Sequence, residues 1–186
     1  MNKDMLYLLA IKLDYKSLSN LCLSSKQINN KIGNEVWRYK LNQDFPNCFI
    51  KNEKLKECYI LLNKPVLIFI FSDVCGASMN FKKEKIYELE KELMNDTRLT
   101  FDILDFPTLK IPNLMSTMSY HPELKNNFIR FFPTFMLVPG NIWNNHKSKL
   151  KAVVKHGNEE EPKIDYSVKG ILSWIDETLT KNSLFI

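Results

Sequence analysis

The spacing of apolar residues changes character near residue 65. Before that point it follows a helical period. Met5, Leu8, Leu9 and Leu13 fall on one face of a first short helix. Leu18, Leu21, Cys22 and Ser25 mark a second, with Ser17 or Ser19 as its N-cap. Ile28 and Ile32 continue that stripe until Gly33-Asn34 stops it. Val36, Trp37, Tyr39, Leu41 and Phe45 mark a third, ended by Asp44-Phe45-Pro46. Three short helices within residues 1–48 bury little apolar area, so this module is expected to pack against the rest of the chain or a partner. A further helix over 51–62 carries Leu55, Tyr59 and Leu62 on one side. It either closes the first module or opens the next.

From Pro65 the grammar is that of an α/β domain. Residues 66–71 are an unbroken apolar run of strand length, which predicts a central strand covered on both faces. Residues 76–94 read as one helix with Met79, Ile86, Leu89 and Leu93 inward and Phe81 near its first turns. Residues 99–106 read as a second strand, parallel to the first across that helix. Pro107, Pro112 and Pro122 break the next stretch, where Leu114, Met115 and Met118 suggest a short helix. Strands at 134–138 and 149–155 follow, and a last helix begins at Asp165 with Val168, Ile171, Leu172, Ile175 and Leu179 at helical spacing. The expected division is 1–48, a connecting helix in 49–64, and an α/β domain over 65–186.

Composition narrows the function classes. With 45% apolar and 25% charged residues the chain is ordinary for a soluble globular protein. No apolar run is long enough to span a bilayer, and Asp4 and Asp14 interrupt the N-terminal stretch where a secretory signal would need an apolar core. An intracellular, cytoplasmic protein is expected. The net charge of +5 comes from scattered lysines without a basic-aromatic stripe, so no nucleic-acid partner is expected. The four cysteines and three histidines lack zinc spacing, so no metal is expected. Cys22 and Cys58 sit in helical apolar patterns and read as core. Asn95-Asp96-Thr97 fits a glycosylation sequon and is read as chance. Arginine is scarce beside lysine and asparagine, the bias of an AT-rich genome.

Cys75 stands apart. It follows the first strand and opens the helix, in Asp73-Val74-Cys75-Gly76-Ala77-Ser78. A thiol there faces unpaired backbone N–H groups and the positive end of the helix dipole, and both favour the nucleophilic thiolate. Gly76 is expected to permit close backbone approach, and Ser78, one turn on, to hydrogen-bond the sulfur. Asp73 either caps the helix or raises the thiol pKa.

Cys75-Gly76-Ala77-Ser78 and Phe132-Pro133-Thr134, in this order of strands and helices, resemble the site of a thioredoxin fold. The resemblance covers roughly residues 51–186. It implies a cis peptide before Pro133 lying against Cys75, with Gly76, Ala77, Phe132 and Thr134 holding an extended client peptide by backbone bonds. Phe131, Phe132 and Phe135 flank that loop, at least one of them as core. The departures matter. Ser78 stands where a second cysteine would resolve a mixed disulfide, Val74 where many thioredoxins have Trp, and the first strand lacks a buried acid. The resemblance then implies a single nucleophile, Cys75, assisted by Ser78 and Pro133. It would form mixed disulfides with a client protein or with glutathione, the candidate co-substrate, and an outside thiol would resolve them. The sequence does not exclude Ser78 as a trapping substitution.

The first module resembles an F-box in a leucine-rich first helix, Leu18-x-x-Leu21-Cys22, Ser25-Lys26-x-Ile28 and Trp37-Arg38. F-boxes dock on the Skp1 adaptor of cullin-type ubiquitin ligases. The resemblance implies that Leu6, Leu9, Leu13, Leu18, Leu21 and Trp37 shape the module or a Skp1-like partner face. The usual Leu-Pro start is absent, replaced by Asp4-Met5-Leu6. Such leaders occur in proteins of large DNA viruses, which would place the chain in host cytoplasm. The alternative to a thiol protein is therefore a non-catalytic adaptor whose thioredoxin-like domain selects a target.

Overall fold

The computed structural model describes residues 2–46, 48, 54–106, 132–145, 154–156, 165–182 and 185. The chain divides into two compact units, 1–63 and 64–186.

The first unit contains α1 (Lys3–Ala10), α2 (Tyr15–Ser24), α3 (Lys26–Lys31), α4 (Asn34–Asp44) and α5 (Leu55–Asn63). Four helices, rather than three, precede residue 48. The expected long stripe is cut at Ser25, whose extended backbone ends α2 while its hydroxyl accepts the Ile28 N–H of α3. The cap of α2 is Asp14, not a serine: its carboxylate accepts the Ser17 N–H at 2.7 Å. That bond holds the Asp14 carboxyl below the ordinary aspartate range. The inward positions of α1 are Leu6 and Ala10, while Met5, Leu8 and Leu9 face outward. The helix is rotated from the expected face because Leu6 and Ala10, one turn apart, join Leu18, Val36, Trp37 and Leu41 in the core.

Helix α5 closes this core. Tyr59, fully buried, meets Tyr15, Trp37 and Phe45 with ring centroids 5.8–5.9 Å apart. Its hydroxyl donates to Asp44 Oδ2 at 2.6 Å, and Lys40 Nζ reaches the same oxygen at 2.8 Å. Lys40 is buried, and this pairing is what makes its burial tolerable. Burial and the Asp44 carboxylate push the Tyr59 phenol far above its ordinary pKa. Burial likewise raises the Cys22 thiol, which lies in the same core as expected.

The second unit is built on a four-stranded mixed sheet in the order β2-β1-β3-β4. The strands are β1 (Val66–Ser72), β2 (Thr100–Phe106), β3 (Thr134–Val138) and β4 (Val154–Lys155). β1 is central and buried at every position, which is why its sequence is a continuous apolar run. It pairs in parallel with β2, Val66 opposite Thr100, and antiparallel with β3, Ile70 opposite Thr134. β4 pairs antiparallel with β3, Met136 opposite Lys155. The first half of the expected fourth strand, the expected helix near 114–118 and Phe131 lie outside the described residues.

The helix expected over 76–94 is two, α6 (Gly76–Glu84) and α7 (Ile86–Met94), broken at Lys85 with φ −125°. The break resets the inward face. Ser78 and Phe81 point inward on α6 and Leu89 and Leu93 on α7, while Met79 is exposed. Lys85 Nζ donates to the Tyr166 carbonyl at 3.2 Å, which ties the break to the segment before the last helix. Helix α8 (Gly140–Asn145) follows β3 and α9 (Val168–Lys181) ends the unit. Ser167, rather than Asp165, caps α9, accepting the Gly170 N–H at 2.9 Å. One face of the sheet carries Leu67, Phe69, Phe71, Phe135 and Leu137 against α6, α7 and α9; the other carries Val66, Ile68, Ile70, Met136 and Val138 with Trp143.

Candidate active site

Register brings the site together. Because β1 runs antiparallel to β3, the C-terminal end of β1 lies beside the residues that enter β3. The chain leaves β1 at Ser72, whose carbonyl accepts the Cys75 N–H at 3.1 Å, and this turn delivers Cys75 to the start of α6. Cys75 is the N-cap residue of α6, with extended backbone (φ −89°, ψ 109°). Its carbonyl accepts the Met79 N–H at 3.0 Å, the first helical bond. The thiol is half-buried and donates to the Phe132 carbonyl at 3.2 Å. The Phe132-Pro133 peptide is cis, as expected from the sequence. Tyr166, from the segment before α9, donates its hydroxyl to the Pro133 carbonyl at 3.1 Å, so both carbonyls of this peptide pair are engaged. Burial pushes the Tyr166 phenol up to about 12.

A four-stranded mixed sheet in the order β2-β1-β3-β4, a βαβ crossover between β1 and β2 and a terminal helix leave one reading of the architecture. The second unit has a thioredoxin-like fold. No protein-family model matches the chain, and no curated protein matches it. Among solved structures it is similar to a DsbH oxidoreductase, at 16% identity over 64% of this chain and 75% of that one, with a TM-score of 0.39. It is also similar to the J-Trx1 fragment of ERdj5, at 10% identity over 96% of this chain and 88% of that one, with a TM-score of 0.40. At such values the fold rests on the topology of the sheet and its helices, and activity does not follow from either likeness.

Within this thioredoxin-like frame several residues depart from expectation. Ser78 is fully buried on the first turn of α6, and among the described residues its hydroxyl makes no hydrogen bond, to the Cys75 sulfur or to any other group. Gly76 is not there for a close approach to any described residue, since a Cβ on it would meet none of them within 4 Å. It and Ala77 are exposed beside the thiol. Asp73 is not the N-cap, because Cys75 occupies that place and takes no side-chain cap bond. Thr134 is buried at the head of β3, and Phe132 is partly buried against the outer face of the sheet. Phe135 is core, its ring 4.9 Å from that of Phe69.

Sequence reasoning passed over His156 and Tyr166. His156 is buried beside β4, its backbone N–H donating to the Phe135 carbonyl at 2.9 Å. Its ring stands edge-on to Tyr166 and Trp174 at 5.4 and 5.1 Å. It supports the tyrosine that holds the proline loop. No spacing rule could have found it, because the stretches on either side carry no strong apolar period.

Of the residues assigned to a partner face, Leu6, Leu18 and Trp37 are buried in the first unit's core, and Leu13 and Leu21 pack partly against it. They shape the module from inside. Leu9 is exposed, with Met5 and Leu8 beside it on α1. Among the described residues no group of three His, Cys, Asp or Glu side chains is placed to hold a metal ion, and no helix is long and apolar enough to cross a membrane.

Proposed function

We propose that the chain is a thiol-disulfide protein with a single nucleophile, Cys75, which captures a client's sulfur and cannot release it unaided. The observation that carries this reading is the Cys75 thiol at the N-terminus of α6, 3.2 Å from the carbonyl of the residue before the cis proline. Loss of the thiol proton turns the sulfur from donor to acceptor. The helix N-terminus and the Ser78 hydroxyl then supply donors, and Ser78 gains the partner it lacks in the thiol state. The thiolate attacks one sulfur of a disulfide. A new bond forms to Cys75, and the other sulfur leaves and takes up a proton. Ser78 cannot attack this bond, so release requires an outside thiol such as glutathione. Incubation of the full chain with a peptide disulfide, followed by intact mass, is expected to show one adduct on Cys75 that persists until thiol is added. No adduct, or an equal one on Cys75→Ala, would defeat the reading.

Met5, Leu8 and Leu9, exposed together on α1, favour a second reading: an adaptor whose F-box-like first unit docks on a Skp1-like protein. Met5→Asp with Leu9→Asp is expected to abolish co-purification with such a partner. Retention of the complex would count against docking through α1.

A further inference from the structure

Tyr166 makes a contact that the exchange chemistry does not call for. It precedes α9, packs against the inner core and donates its hydroxyl to the Pro133 carbonyl at 3.1 Å. Two further contacts hold the tyrosine itself. Lys85 Nζ, at the break between α6 and α7, donates to its carbonyl at 3.2 Å. The His156 ring stands edge-on to its ring, with centroids 5.4 Å apart. Pro133 is buried, and a buried carbonyl left without a donor is costly, so the Tyr166 hydroxyl fixes where this peptide sits. On one side of Pro133, Thr134 is pinned in β3 opposite Ile70. On the other is the Phe132 carbonyl, 3.2 Å from the Cys75 sulfur. Holding Pro133 therefore holds the acceptor of the thiol.

That acceptor works against the helix. A carbonyl oxygen accepts from a thiol and offers no donor to a thiolate, so at the sulfur it restrains the ionisation that the N-terminus of α6 promotes. We propose that Tyr166 is a positioning residue that restrains Cys75: through the Pro133 carbonyl it keeps the Phe132 carbonyl on the thiol, and so sets the pH at which the nucleophile becomes available. This rests on the reading of Cys75 as a nucleophile. Removal of the Tyr166 hydroxyl leaves the Pro133 carbonyl short of its donor. The segment then relaxes toward water, the Phe132 carbonyl draws back from the sulfur, and the thiol passes its proton to solvent more readily. Burial keeps the Tyr166 proton in place up to about 12, so its hydroxyl donates throughout the range over which thiols titrate. Among the described residues, the charged and titratable side chains about this junction are Lys85, His156 and Asp165, with Asp73 two residues before the thiol. All four remain in Tyr166→Phe, so that substitution changes no charge near the sulfur.

The test follows alkylation of Cys75 by iodoacetamide on the full chain from about pH 5 to about pH 10, a range that brackets ordinary thiols. The rate is read by mass on the Cys75 peptide in wild type, Tyr166→Phe and Leu179→Ala. Leu179 packs against the same core roughly three turns along α9, so Leu179→Ala loosens the unit away from the proline segment. In Tyr166→Phe the profile is expected to move to lower pH by about half a unit, which is about three-fold faster alkylation near neutral pH. Leu179→Ala is expected to leave the profile in place. A profile that stays put or rises in Tyr166→Phe, or that moves equally in Leu179→Ala, overturns the restraint. The same three proteins are then given a peptide disulfide. An adduct on Cys75 with an unmoved profile defeats the restraint alone, and a shifted profile without any adduct defeats disulfide capture and leaves the restraint standing.

Discussion

A hydroxyl sealed from water without a partner costs a folded protein on the order of 1–3 kcal/mol, and Ser78 Oγ is such an atom. The cost is borne at the residue beside the thiol. Ser78→Ala removes the hydroxyl and keeps the rest of the side chain, so the folded state is expected to hold its stability or gain up to about 1 kcal/mol in denaturant melts. The same substitution is expected to slow alkylation of Cys75 near neutral pH, because the thiolate loses a donor. A variant that is destabilised and alkylates at the wild-type rate would show that Ser78 serves packing only. The sequence order pointed to Cys75 lying beside the Phe132-Pro133 peptide, because both stand at element ends, and the thiol does meet the Phe132 carbonyl; the expected bond from Ser78 to the sulfur is not formed. It misjudged what Gly76 and Met79 do. Those depend on which way a turn faces, and the facing of α6 is set by a break at Lys85 that has no glycine or proline to announce it.

At the scale of elements, strands were easier to read than helices. β1 is an apolar run because both of its faces are covered, and β3 is bounded by Pro133 and the Pro139-Gly140 pair. Their limits therefore show in the sequence. The helices of the first unit are short, and their faces depend on what lies opposite. In α1 the tempting stripe Met5, Leu8, Leu9 is outward because small Ala10 lets the bundle close on Leu6. α2 and α3 look continuous until the Ser25 cap divides them. The placement of α5 was invisible for another reason. Beside the apolar contact of Tyr59 with Trp37, a polar cluster of Lys40, Asp44 and Tyr59 ties it to α4, and hydrophobic periodicity does not register a buried ion pair.

For the molecule as a whole, both units carry a phenol that resists ionisation, the buried Tyr59 in the first and the half-buried Tyr166 in the second. Folded Tyr166 keeps its proton up to about 12, whereas an unfolded tyrosine loses it near pH 10. The unfolded chain then binds fewer protons than the folded one, so stability is level below about pH 10 and falls as pH rises toward 12. Tyr59, raised in the same direction, adds to the loss. Melts between pH 9 and about pH 12 are expected to show this decline, and Tyr166→Phe to make it shallower. An unchanged slope in that variant would mean that Tyr166 ionises as freely folded as unfolded.

β1 carries a liability apart from what it does in the sheet. Residues 66–71 combine strong β preference with no charge, no glycine and no proline, the signature of a segment that self-associates when exposed. Lys64 and Pro65 precede it and Asp73 follows closely, as gatekeepers that blunt its ends. Folding must therefore bury the strand faster than other copies find it. Recovery of soluble protein on dilution from denaturant is expected to fall as chain concentration rises, and Ile68→Lys, though it ruins the core, is expected to leave the unfolded chain soluble. A recovery independent of concentration would place the hazard elsewhere. The strand that brings Cys75 to the surface is also the one the chain can least leave uncovered.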